Sequence, residues 1–167
     1  RRADGQRQQQ RSQGNHHGIR SLRDVDAGLL RAHEHRMDPL VYRRCAYVVA
    51  ENARVGALCD ALNKGDLHAA GQLMYASHEG LQHDYEVSCA ELDLLVDLVR
   101  DQPGVLGSRM MGGGFGGCTI SIVHKDAVAE LGEKTERAYH AKTGRTMQSH
   151  EVITGDGARE LTGYQNI

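Results

Sequence analysis

The 167-residue chain carries almost no excess charge: 20 Lys and Arg face 22 Asp and Glu, a formal net charge of -2. Such a balance supplies no basic field for a phosphate backbone or an anionic lipid surface, so nucleic acid and membranes are set aside as partners. No apolar run approaches the roughly 18 residues that span a bilayer. No secretory leader pattern opens the chain, and its first residue is Arg1 rather than methionine, which suggests a fragment or a processed product. Cysteine is sparse and scattered, with Cys45, Cys59, Cys89 and Cys118 forming no C-x-x-C pair. Cys45 and Cys59 fall on the apolar stripe of an expected helix, where a free thiol packs as a small hydrophobe. Reduced core cysteines in a cytoplasmic protein are therefore expected, with a disulfide framework as the alternative. Proline occurs only twice, and both copies mark boundaries. There is no internal repeat.

What is present is globular: 40% apolar and 25% charged residues, in a chain long enough for one domain with a core. Residues 1–18, "RRADGQRQQQRSQGNHHG", hold almost nothing to bury and are expected to form a flexible arm or linker. Leu22, Val25, Leu29 and Leu30 then fall at helical spacing. Asp38-Pro39 is a strong helix start, Asp as N-cap and Pro in the first turn. Val41, Cys45, Val48, Val55, Cys59 and Leu62 place one stripe of that helix toward a core, up to Lys64-Gly65. A helix over about 66–82 faces inward with Leu67, Ala70, Met74, Ser77 and Leu81. Ser88-Cys89-Ala90-Glu91 reads as a capping box for a helix whose stripe is Leu92, Leu95, Val96 and Val99, closed by Pro103-Gly104.

After Gly104 the period changes. "GVLGSRMM" and "CTISIV" fit strands, the second with Ile120 and Ile122 on one face. "KDAVAELGEKTERAYHAKTG" reads as a helix from Asp126, with Val128, Leu131, Thr135, Ala138 and Tyr139 inward and Gly144 as its C-terminal stop. "TMQSHEVIT" reads as a last strand. A helical half followed by strand, loop, strand, helix and strand predicts an α+β layer, helices packed on a small, mainly antiparallel sheet.

The loop "MGGGFGGC" has five glycines in the six positions 112–117. Its Gly112-x-Gly114-x-x-Gly117 spacing imitates a dinucleotide fingerprint, and Gly112 to Thr119 imitates a P-loop with Cys118 in place of lysine. Both motifs require a helix immediately afterwards, where this chain has the β-branched, strand-like "CTISIV". Both are excluded. The readings that remain are an anion-binding concavity of backbone amides, a tight hairpin, or a close crossing of the loop with another element. Phe115, the single phenylalanine, reads as buried.

"SRMMGGGFGGCTISIV" resembles the third conserved motif of the GHMP small-molecule kinases, in the form characteristic of galactokinases. "SLRDV" (21–25), "DPLVYRRCAYVVAENARV" (38–55), "GDLHAAGQLMYASHEGLQHDYEVSCAELDLLV" (65–96) and "AYHAKTG" (138–144) extend that resemblance over most of the chain. It implies a ferredoxin-like GHMP kinase C-terminal domain over residues 19–167, and ATP-dependent, Mg2+-assisted phosphorylation of galactose to galactose 1-phosphate. It implies that Gly112, Gly113, Gly114, Phe115, Gly116 and Gly117 border the nucleotide phosphates and the sugar. The catalytic and metal-binding groups are then expected in an N-terminal domain that this chain lacks, so the chain alone is expected to be inactive. Arg1-Arg2 stands where the family carries an arginine pair. Met111 departs from the pattern, since the family usually has Ser or Thr there, and a thioether cannot donate a hydrogen bond. Ala90 replaces a frequent proline. The alternatives are a non-catalytic galactokinase-like sensor of sugar and ATP, or a GHMP kinase for another small alcohol.

Other constellations read as structural. His33-Glu34-His35 lacks the i, i+4 spacing of a zinc pair. Ser77-His78-Glu79 cannot converge on one helix face as a hydrolytic triad. His78, His83 and Asp84 are expected on a solvated helix face, Tyr85 and Glu86 at a helix end, and Arg109 in a surface salt bridge.

Overall fold

The computed structural model describes residues 18–155. The expected arm and the tail after Thr154 lie outside them, apart from Gly18 and Gly155. The first turn opens with a capping box: Ser21 Oγ accepts from the Arg23 amide at 3.3 Å, and Asp24 accepts from the Ser21 amide at 3.0 Å. The expected first helix is in fact three short pieces, a 3-10 turn Leu22–Asp24, helix α1 Ala27–Ala32 and a 3-10 turn Glu34–Arg36. Asp26 starts α1 afresh by accepting from the Leu29 amide, and the His33 ring meets the Leu29 carbonyl at its end.

Asp38 caps helix α2, Pro39–Asn63, by accepting from the Leu40 and Val41 amides. Asp66 does the same for α3, Leu67–His83, through the Ala69 amide. Helix α4 spans Ala90–Arg100. Strands β1, Val105–Met111, and β2, Cys118–Val123, pair antiparallel, with Ser108 opposite Ser121 and Met111 opposite Cys118. A 3-10 turn leads into α5, Val128–Thr143, which ends at Gly144 with φ 70°. The α+β layer is thus as expected: α3 and α4 pack on β1, α2 on α3, and α5 on α4.

The central contact is between backbones. An added methyl at Gly71 on α3 would come within 1.9 Å of the Leu106 carbonyl oxygen, and one at Gly107 on β1 within 2.3 Å of the Gly71 Cα. Only two residues without side chains let a helix and a strand meet so closely. Beside this crossing, Tyr47, Leu81, Leu92 and Met110 form the core cluster, and the Tyr47 ring lies directly over Gly80.

Four local expectations are corrected. The α2 stripe of Val41, Val55, Cys59 and Leu62 is exposed and Cys45 half-buried, while Tyr47, Val49 and Ala61 are buried. This 25-residue helix carries apolar residues on more than one side, and the face that α1 and α3 cover is the other one. Ser88 is not a cap: Cys89 holds that position without a side-chain bond, Ser88 donates to Asp93 at 2.5 Å, and Glu91 pairs with Arg145. Asp126 lies inside the 3-10 turn before α5 rather than at its cap. "TMQSHEVIT" forms no strand. Val152 and Ile153, the β-branched pair that suggested one, are 74% and 89% exposed with no sheet edge beside them.

Gly71→Ala is expected to cost about 3 kcal/mol, because backbone rather than a side chain must give way. Gly56→Ala, in an open stretch of α2, is expected to add about 0.5–1 kcal/mol through helix propensity. Urea unfolding of the two variants against the parent chain measures both.

Candidate functional site

Because β1 ends at Met111 and β2 begins at Cys118, residues 112–117 form the strand–loop–strand connection that sequence context required. The loop winds through the left-handed half of backbone space: Gly112, Gly114, Gly116 and Gly117 have φ of 86°, 90°, 132° and 111°. Phe115 follows at φ 59°, a conformation that costs a bulky residue about 1–3 kcal/mol. Such strain persists only where the surroundings impose it.

One neighbour does, the Val87 carbonyl, in two ways. The Phe115 amide donates to the Val87 carbonyl at 2.7 Å, and a methyl on Gly114 would come within 2.0 Å of that same oxygen. The close-crossing reading therefore accounts for Gly114. It does not account for Gly112, Gly113 and Gly116, before which the space is open. The Gly113 and Gly116 amides meet no acceptor among the described residues. The loop is thus an open row of backbone donors fixed at its middle.

The support beneath Val87 is itself constrained. Glu86 sits at φ 59°, and its carboxylate accepts from Arg43 at 2.7 Å and Arg44 at 3.3 Å, both on α2. Hydrogen bonds from Arg44 and Arg43 hold that carboxyl below the usual range. The Tyr85 ring lies 5.4 Å from that of Tyr47, and the Tyr85 amide closes α3 on the Gly80 carbonyl, the helix-end role expected of it.

On the strand side, Arg109 donates to the Met110 carbonyl at 3.0 Å and pairs with Glu51 at 3.4 Å. Glu51 also accepts from Ser77 at 2.5 Å and pairs with Arg54. Arg109 is thus in a salt bridge, as expected, but a half-buried one that ties β1 to α2. The cavity beside it has a volume of only 30 Å³, room for about one water and no small molecule.

The six predicted loop residues come together at the surface. Phe115, read as buried, is instead 77% exposed, because the Val87 anchor turns its side chain outward. Met111 is half-exposed at the strand's end. His83 and Asp84 are solvated as expected, but His78 is 2% exposed and lies in the core. Its ring faces β1 and α4, not solvent. The Val87 anchor, the strained Glu86 and the Gly71–Gly107 crossing were missed. A glycine inside α3 and one inside β1 were the available signals.

This layered fold with a glycine connection between its strands defines a class, and the chain belongs to it: the GHMP kinases C terminal family matches residues 58–141, half of the chain. Galactokinases are among its relatives. The galactokinase of Halalkalibacterium halodurans is 44% identical over 126 residues, covering 75% of this chain and 32% of that protein. That of Bos taurus is 42% identical over 144 residues, covering 86% and 36%. The crystal structure of Lactococcus lactis galactokinase complexed with galactose superposes with a TM-score of 0.73 at 36% identity, covering 77% of this chain and 33% of that one. The chain spans about a third of the length of these relatives and corresponds to their C-terminal part.

Phe115→Gly is expected to leave stability within about 0.5 kcal/mol or to raise it, since strain is relieved and no buried contact is lost. Gly114→Ala is expected to cost about 2 kcal/mol and to free the Phe115 amide. Urea unfolding and amide hydrogen exchange distinguish the two outcomes.

Proposed function

We propose that this chain, with residues 19–167 as its domain and residues 1–18 as an arm, is the C-terminal part of a galactokinase. Acting with an N-terminal domain in the cytoplasm, it serves transfer of the γ-phosphoryl group of ATP to the anomeric hydroxyl of galactose. The observation that carries this reading is the open, anchored glycine loop in a chain whose relatives over this stretch are galactokinases.

Phosphoryl transfer asks a protein mainly for positioning and for donors aimed at developing charge. Gly112, Gly113, Gly114, Gly116 and Gly117 offer backbone to phosphate oxygens without side chains in the way, and Phe115 borders the sugar side. The anchor at Val87 keeps those amides from reorganising as charge moves. Magnesium, where bound, would neutralise phosphate charge. The described residues of this chain hold no cluster of three His, Cys, Asp or Glu to ligate it.

Met111 supports a second reading, a sensor that binds ATP and sugar without turnover, since it supplies no hydroxyl at the edge of the loop. A chimera separates the two. This chain replaces the C-terminal third of the Halalkalibacterium halodurans galactokinase, and ATP-dependent galactose phosphorylation is followed. Turnover by the chimera and none by the chain alone is expected, with Met111→Thr raising kcat about tenfold. A folded chimera that binds both substrates without turnover, even as Met111→Thr, overturns the enzyme reading in favour of the sensor. Turnover only on a different small alcohol makes it another GHMP kinase.

A further inference from the structure

The Gly113 and Gly116 donors matter only if the strand that delivers them is held still, and a histidine holds it. We propose that His78 is a positioning residue for the glycine loop: its unprotonated Nδ1 fixes the Met110 amide and thereby sets where residues 111–117 leave the sheet. The significance for phosphoryl transfer rests on the reading above, whereas the anchoring itself does not.

His78 is 2% exposed on α3 and reaches two other elements. The Met110 amide donates to Nδ1 at 3.3 Å, and Nε2 lies 3.4 Å from Asp93 on α4. With Nδ1 accepting, the ring proton belongs on Nε2, facing that carboxylate. Asp93 is oriented in turn by the Ser88 hydroxyl at 2.5 Å. The Met110 amide points away from β2, on the side of a strand where the ladder offers no acceptor, and the imidazole supplies one. Met110 is fully buried, so water cannot replace it. One ring therefore ties α3, β1 and α4 together one residue before Met111.

The arrangement works in one protonation state. A proton on Nδ1 would set a donor against a donor, and the contact would open. Glu79 on α3 and Asp93 and Asp97 on α4 favour that proton, Arg100 on α4 opposes it, and Arg109 on β1 is taken up by Glu51. Burial outweighs them and holds the His78 pKa below its ordinary value. The folded chain thus binds fewer protons at this ring than the unfolded chain. Its stability is full above the ordinary histidine value of about 6.5 and falls as pH drops through the lowered one.

The test is a 15N NMR titration of this chain from pH 7.5 to 5, with His78→Asn, His78→Gln and His78→Leu. Asparagine places an acceptor where Nδ1 stood, glutamine places its polar end where Nε2 stood, and leucine removes both. In the parent, the amide resonances of Met110 to Gly117 are expected to move with the His78 ring at one common pKa. His78→Asn should keep their neutral-pH positions and abolish that transition. His78→Gln and His78→Leu should displace them and speed Met110 amide exchange at least tenfold. The proposal is overturned if the ring titrates while the loop amides stay still, or if asparagine behaves like leucine. Should His78→Leu not fold, the parent titration and His78→Asn still decide. None of these readouts involves ATP or sugar, so they stand or fall apart from the kinase reading.

Discussion

Everything in this domain is arranged around the place where α3 and β1 touch without side chains. Because Gly71 and Gly107 bring the two backbones together, adjacent residues about two turns further along α3 fall level with successive residues of β1. Ser77 then shares Glu51 with Arg109, and His78 meets Met110. A methyl at either glycine would lift the strand from the helix and detach both polar contacts at once. The loop that follows β1 inherits its position from a contact several residues upstream of it.

That dependence explains which parts were legible in the sequence. Helix starts at Asp38 and Asp66 and the stop at Gly144 are local chemistry, a side chain closing on amides a few residues away, and they stand as read. The strand–loop–strand character of residues 105–123 followed from periodicity and from β-branched residues after the glycines. The resemblance of the glycine motif to GHMP kinases then placed the whole order in a known architecture. Burial was harder. Apolar spacing on α2 identifies a stripe but not the neighbour that covers it, so it points Val55 and Cys59 at a core they do not reach.

The site divided along the same line. Its glycines were evident from density alone, but their anchor at Val87 is a backbone carbonyl and leaves no mark in a sequence. Glu86, in a left-handed conformation with Arg43 and Arg44 on its carboxylate, looks like an ordinary helix-end residue until its φ is seen. His78 misled in the opposite way, since a histidine between a serine and a glutamate suggests a solvated face. The ring is instead buried, its two nitrogens facing the Met110 amide and the Asp93 carboxylate.

The order of these parts along the chain bears on how the domain assembles. Val87, His78 and Glu51, which hold the loop and its strand, all precede it, and the α2–α3 pair that carries most of them joins neighbours in sequence. Contacts between near neighbours close early because little loop entropy opposes them. By that measure the β1–β2 hairpin, joined by residues 112–117 with Met111 opposite Cys118, is the more local contact, whereas Glu51 and Ser77 on α2 and α3 lie 26 residues apart. The strained glycine turn thus lies inside the shortest loop of the sheet, and its fixed point, the Val87 carbonyl, comes from outside that hairpin.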